Sequence, residues 1–214
     1  MTFTVEAILA VLFVVVLMNI FKRHPQLPAT PSYPQPDLAN LRPTDARAGD
    51  VISVAGAGDN MSDLDFTADR YLSCRAGSRT WIEVSGMYRE RRVAMRVENA
   101  EDVEVWLRTD PRKLTIQDLG LSEEDLAEMD ERQNPADSFG FDNSDWLWRQ
   151  STEATASRSD QAGGYPQQES FYYWEFREQN GSGLLAVRKP QGEPFSVSLY
   201  RQIPAADVTI YRKS

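Results

Sequence analysis

RRVAMRVENAEDVEVWLRT, residues 91–109, alternates strictly on both sides of a polar turn. Val93, Met95 and Val97 are interleaved with Ala94, Arg96 and Glu98. After ENAED, Val103, Val105 and Leu107 are interleaved with Glu104, Trp106 and Arg108. Period-two alternation flanking a turn predicts a β-hairpin with one buried face. A second copy of the pattern lies downstream. Without gaps, Val93–Leu107 aligns to Leu185–Leu199 and matches Ala94 to Ala186, Arg96 to Arg188, Glu101 to Glu193, Val105 to Val197 and Leu107 to Leu199. Upstream of each copy sits a tryptophan with a glutamate at hand, Trp81 with Glu83 and Trp174 with Glu175, one residue out of register.

Other stretches extend the β reading: RAGDVISVAG, DRYLSCRAGSRTWIEVSGMY, SFYYWEFREQ, GLLAVRKP, PFSVSLYR and ADVTIYRK. One helix interrupts them near 122–133. Ser122 is its N-cap, Asp125 stands three residues on, acidic residues fill the first turn and Pro135 lies beyond the end. Residues 150–169 (QSTEATASRSDQAGGYPQQE) are polar, contain Gly-Gly and lack apolar periodicity, which predicts a flexible loop. The fold expected is mainly β. Two related antiparallel β-subdomains, barrel- or sandwich-like, occupy 46–149 and 170–214, with the one short helix in the first.

The amino terminus has a different composition. Ala7 to Phe21 is apolar except Asn19, and Phe3 to Phe21 gives 19 residues, enough for a short transmembrane helix. Lys22-Arg23-His24 follows the run and no small-x-small cleavage site appears, so residues 1–23 read as an uncleaved anchor. Lys22 and Arg23 after the run, with Glu6 before it, orient the helix with its amino terminus outside and the body in the cytoplasm. Residues 24–45 hold six of the twelve prolines, a composition that favours an extended spacer. The chain therefore reads as a single-pass protein of the inner membrane.

Charge and composition exclude several functions. The net charge is −9, and the first 29 residues contribute +1, leaving −10 on the remainder. An acidic body does not suit nucleic acid. The one cysteine, Cys74, cannot form an intramolecular disulfide, which agrees with a reducing compartment. The one histidine, His24, lies in the spacer, so neither a Cys-His pair nor a zinc site is expected. The acidic run from Glu123 to Glu131 lacks the alternating ligands and central glycine of a calcium loop and reads as a solvated helix face. No catalytic, cofactor-binding or metal-binding residue is assigned. Glu83 and Glu175 remain as a conceivable carboxylate pair between the halves.

The tryptophans offer a different role. Trp106 lies opposite Val103, Val105 and Leu107 by alternation, and its counterpart in the second copy is Ser198. It either covers a second sheet face or meets a partner. Trp146 and Trp148, on one strand face, pose the same choice.

The pattern GDVISV, TWIEV and EVWL, then YYWEF, LLAVRK and FSVSLYRQIPAADVTIY, resembles an uncharacterised bacterial domain family over roughly residues 46–214. Members of that family are encoded beside membrane-stress proteins of the phage-shock type and polyamine aminopropyltransferases. The resemblance implies a β-rich accessory module and supplies no catalytic residue. The reading favoured is a membrane-tethered cytoplasmic module that binds a membrane-associated protein and does no chemistry. The alternative is an enzyme or small-ligand binder using carboxylates between the halves.

Overall fold

Strand β4 (Arg91–Asn99) shows how this chain divides its side chains. Val93, Met95 and Val97 turn to one side and Ala94, Arg96 and Glu98 to the other, and all six are buried. The alternation is as expected, but it does not separate core from solvent. Both faces of the hairpin are covered.

The reason lies in the topology. The computed structural model describes residues 41–99, 101–160, 167–179 and 181–212, all within one compact unit. Its strands are β1 (Val51–Val54), β2 (Leu64–Ala76), β3 (Arg79–Tyr88), β4, β5 (Val103–Arg108), β6 (Ser138–Phe141), β7 (Ser144–Asp160), β8 (Gln167–Glu178), β9 (Gly183–Pro190), β10 (Ser196–Ile203) and β11 (Val208–Tyr211). They form one antiparallel sheet in the order β11-β1-β2-β3-β4-β5-β10-β9-β8-β7-β6. Strand β2 also pairs with β7. Its first residues, Leu64 to Thr67, pair with β1, and Arg70 to Ala76 pair with β7. A register shift between Ala68 and Arg70 marks the change of partner, the bend and extra twist a β-bulge supplies. The pairing β2–β7 closes eight strands, β2-β3-β4-β5-β10-β9-β8-β7, into a barrel.

The apolar face that the alternation reveals is the outside of this barrel. Val93, Met95, Val97, Val105 and Leu107 pack beneath Ile52, Val54, Leu64, Phe66, Val208 and Ile210, where β11, β1 and the start of β2 curl over them. Phe176, Leu185, Val187 and Val197 are covered by Trp146, Trp148 and the single described α-helix, α1 (Glu123–Arg132). That helix begins as its sequence predicts. Ser122 Oγ accepts from the Asp125 N–H and the Asp125 carboxylate accepts from the Ser122 N–H, a reciprocal capping box. Leu126 and Met129 face the core.

Several expectations are corrected. The halves 46–149 and 170–214 are not separate sheets, because β5 pairs with β10 and β2 with β7 inside one ring. Much of the flexible loop expected over 150–169 is strand, the end of β7 and the start of β8. Its inward positions, Ala154 and Ala156, are small because Phe171 and Tyr173 fill the space opposite them, so no apolar periodicity appears. Trp81 and Trp174 are not equivalents. Trp81 pairs with Glu98 and points into the barrel, whereas Phe171, paired with Pro190, takes that place in the other half. Trp174 points outward and donates from Nε1 to the Leu126 carbonyl of α1 at 3.1 Å. The body also starts earlier than residue 46, since Leu41 packs on the outer cluster and Pro43 is buried in a 3₁₀ turn. The anchor over 1–23 and the spacer through residue 40 lie outside the described residues. Among the described residues no helix is long and apolar enough to cross a membrane.

Gly86 sits where β2 changes partner, opposite Ala68. A Cβ built there would collide with the Thr67 carbonyl oxygen, which is backbone and cannot swing away. A Cβ on Gly140 in β6 would meet open space. Gly86→Ala is expected to lower the free energy of urea unfolding by about 3 kcal/mol or more, and Gly140→Ala by under about 1 kcal/mol.

Candidate functional site

Several inward positions of the barrel carry charge. On β4, Arg96 is fully buried, and its guanidinium lies 4.3 Å from the ring centroid of Trp81. Its Nη1 donates to Tyr173 Oη at 2.6 Å, and its Nη2 donates to Glu175 Oε2 at 2.9 Å and to Glu98 Oε1. Tyr173 in turn donates to Glu175 Oε2 at 2.7 Å. Arg79 reaches Glu98 Oε2 at 2.6 Å and Glu175 Oε1 at 3.2 Å, and Arg177 donates from Nε to Glu175 Oε1 at 3.2 Å. Glu175 is therefore met by three arginines and a tyrosine. At the edge of the cluster Arg177 stacks over Trp106 at 4.1 Å, and Trp106 Nε1 donates to Glu104 Oε2 at 3.2 Å.

A second cluster sits nearer the other end of the barrel. Glu83 Oε2 accepts from Arg188 Nη2 and from Tyr200 Oη, each at 2.8 Å. Arg108 Nη1 donates to Ser198 Oγ at 3.1 Å. Cys74 is buried in the same interior cluster.

These surroundings fix protonation states. Burial alone would raise the carboxyl of Glu175, but the charges of Arg96, Arg79 and Arg177 and the Tyr173 hydrogen bond outweigh it and bring its pKa to about 2. Glu83 follows the same pattern, with burial opposed by Arg188, Arg108 and the Tyr200 hydrogen bond, and also falls to about 2. Burial pushes Tyr173 far up and, together with the Glu83 charge, pushes Tyr200 up to about 12. Burial raises the Cys74 thiol to about 11. At neutral pH the two glutamates are anions, and the tyrosines and the thiol keep their protons. A general acid carboxyl requires the opposite shift.

The two glutamates do not form a pair. Glu175 accepts from Arg96, Arg79 and Arg177, whereas Glu83 accepts from Arg188. The candidate contact residues Trp106, Trp146 and Trp148 are also corrected. All three are buried, Trp106 inside the barrel and the other two beneath its outer layer, so none presents its ring to a partner. Lys22 and Arg23 lie outside the described residues. No group of three potential metal ligands occurs among the described residues. The residues that sequence reasoning missed are the arginines and tyrosines of the interior. The one available signal was the match of Arg96 to Arg188 in the repeated hairpin, since both point inward.

Compared with family models, with curated proteins and with solved structures, the chain matches none.

Because both carboxyls are depressed in the folded state from an ordinary 4.5 to about 2, their contribution is fully present above about pH 4.5 and is lost as pH falls toward 2. Urea unfolding between pH 6 and pH 2.5 is expected to show stability falling on the acid side, by on the order of 3 kcal/mol per carboxylate over the full window. Glu175→Gln should flatten that dependence while lowering stability at neutral pH, since three arginines then lose their shared anion.

Proposed function

We propose that the protein is a single-pass protein of the inner membrane whose cytoplasmic barrel binds a protein partner and carries out no reaction. The apolar run ahead of Lys22 and Arg23 supports the tether and its orientation. The interior supports the absence of chemistry. Its carboxylates are saturated by arginines and tyrosines, and none of its groups with a resolved shift is poised near neutral pH, where a general acid or base works best.

The observation that carries the binding role is a row of side chains on the outer sheet. Tyr211, Val51, Thr67 and Met87 are direct cross-strand partners on β11, β1, β2 and β3. Three of them, Tyr211 at 58%, Met87 at 46% and Val51 at 38%, are among the four exposed large apolar residues of the described chain. Cross-strand partners share a face, and four strands span about 14 Å. An apolar strip of that kind suits contact with an apolar strip on another protein. The family resemblance supports a place as an accessory component of a membrane-associated or envelope-stress system.

Photo-crosslinking residues introduced at positions 87 and 211 of the membrane-bound chain are expected to capture one membrane-associated protein, and the same group at exposed Glu153 should not. Met87→Asp with Tyr211→Asp should cut co-purification at least tenfold without unfolding the barrel. Topology is read in parallel with Gln191→Cys, at an exposed turn, because the native Cys74 is buried. A membrane-impermeant maleimide should label it only after lysis. Labelling in intact cells would overturn the cytoplasmic assignment, and equal capture from all three positions would overturn the contact strip.

A further inference from the structure

The sheet ends at β11, and that edge is open. Strand β11 pairs with β1 on one side and, among the described residues, with no strand on the other. The ladder decides which of its groups face the open side. The Ala55 N–H donates to the Asp207 C=O, and the same register continues through Ser53 with Thr209 and Val51 with Tyr211. Hydrogen-bonded and non-hydrogen-bonded pairs alternate along an antiparallel ladder. Asp207, Thr209 and Tyr211 therefore turn their main-chain groups toward β1. The other side of β1 agrees. The Ala68 N–H donates to the Asp50 C=O, which puts Ile52 and Val54 in the bonded pairs with β2 and leaves Val51 and Ser53 for β11. The N–H and C=O of Ile210, the C=O of Val208 and the N–H of Arg212 thus point to the open edge. None of them bonds to another backbone group among the described residues. The Val208 N–H is taken by the Ala205 C=O.

An open edge is a template for another strand, and proteins block such edges with charged residues, proline or a bulge. Strand β11 has no Lys, Arg, Asp, Glu or Pro and no register shift. Thr209 and Tyr211 are exposed on its outer face, and Val208 and Ile210 are buried in the outer cluster. The free groups also have a two-fold pattern. Set antiparallel to a copy of itself and centred on Ile210, the strand exchanges both bonds between the two Ile210 residues. Each Arg212 N–H then meets the Val208 C=O opposite. Thr209 stands directly across from Tyr211 of the copy, a β-branched residue against an aromatic one in the closer, non-hydrogen-bonded kind of pair.

We propose that β11 pairs with β11 of a second copy of this chain, forming an antiparallel two-fold dimer about Ile210. Four residues form few bonds, so the dimer is transient and is read best by trapping it. The pairing does not depend on the partner strip. Met87, on the third strand in from β11, stays free for the proposed partner.

The test uses two variants of the full chain in non-ionic detergent, Thr209→Cys and Tyr211→Cys, with tags of different size. They are oxidised with copper phenanthroline separately and as a mixture; the native Cys74 is buried. Directly opposed residues of a non-hydrogen-bonded pair lie about 4.5 Å apart between Cα atoms, within disulfide reach. Position 209 to 209, or 211 to 211, is a diagonal of about 7–8 Å and lies beyond it. The mixture is expected to give a mixed dimer at least fivefold in excess of either like dimer. In parallel, Thr209→Lys with Tyr211→Lys sets lysines opposite each other and should abolish the concentration-dependent dimer that the unaltered chain shows in sedimentation velocity. Should the lysine variant fail to fold by circular dichroism, the mixed disulfide decides alone. A mixed dimer absent or no more abundant than chance pairing, an unaltered chain that stays monomeric at every concentration, or a folded lysine variant that dimerises like the unaltered chain would each overturn the pairing.

Discussion

The guanidinium of Arg96 has no access to water, and everything around it follows from that. Removing a cation from water costs several kcal/mol, and only close anions with good geometry offset the loss. Glu98 comes from the same strand, but Glu175 and Tyr173 come from β8, which is separated from β4 by three strands along the ring. Arg79 on β3 then ties Glu98 to Glu175. None of these groups is satisfied unless the ring is closed in this register. A slip of one residue in β4 or β8 would turn a buried ion outward and an apolar side chain inward. The charged interior therefore supplies register specificity, while hydrophobic burial supplies the larger driving force from outside the barrel.

That division of labour explains the two outer layers. A barrel with an apolar exterior has to be covered in water. The chain covers one side with β11, β1 and the first half of β2, and the other with α1, β6 and the start of β7. Polar ties hold each cover in place. Asp50, itself buried, receives two bonds from Arg212 at 2.9 and 2.8 Å and so joins the start of the body to its end. Asp130 of α1 accepts from Ser151 Oγ at 2.5 Å and Tyr172 Oη at 2.7 Å on the barrel wall.

What was legible in the sequence was whatever depends on local pattern. The hairpin over 91–109, the cap at Ser122 and the strands around Trp81 and Trp174 all follow from periodicity or capping chemistry. The repeat also carried information, since Ala94 with Ala186 and Arg96 with Arg188 do share the inward face. The misreadings share one cause. Alternation in sequence reads as a division between buried and exposed positions, whereas here it separates two buried environments. Arg96 and Glu98 look like solvent-facing residues, and Trp106 looks anomalous among them, until β8 is placed across the lumen. The same assumption hid the strand at 150–160, whose inward face holds Ala154 and Ala156 between the polar Thr152 and Arg158. No local pattern announces a closure such as β2 with β7, because it joins segments some eighty residues apart whose shared feature is the space they leave.

Arg96 and Glu175 stabilise the barrel as a coupled unit. A double-mutant cycle with Arg96→Met and Glu175→Gln, read by urea unfolding at neutral pH, measures it most directly. Each single change should cost about 3–5 kcal/mol by stranding a buried charge. The double variant should cost at least about 2 kcal/mol less than the two losses added together, because the second change removes a partner already stranded. Strictly additive losses, or single losses under about 1 kcal/mol, would contradict it and would place the organising interaction elsewhere in the barrel.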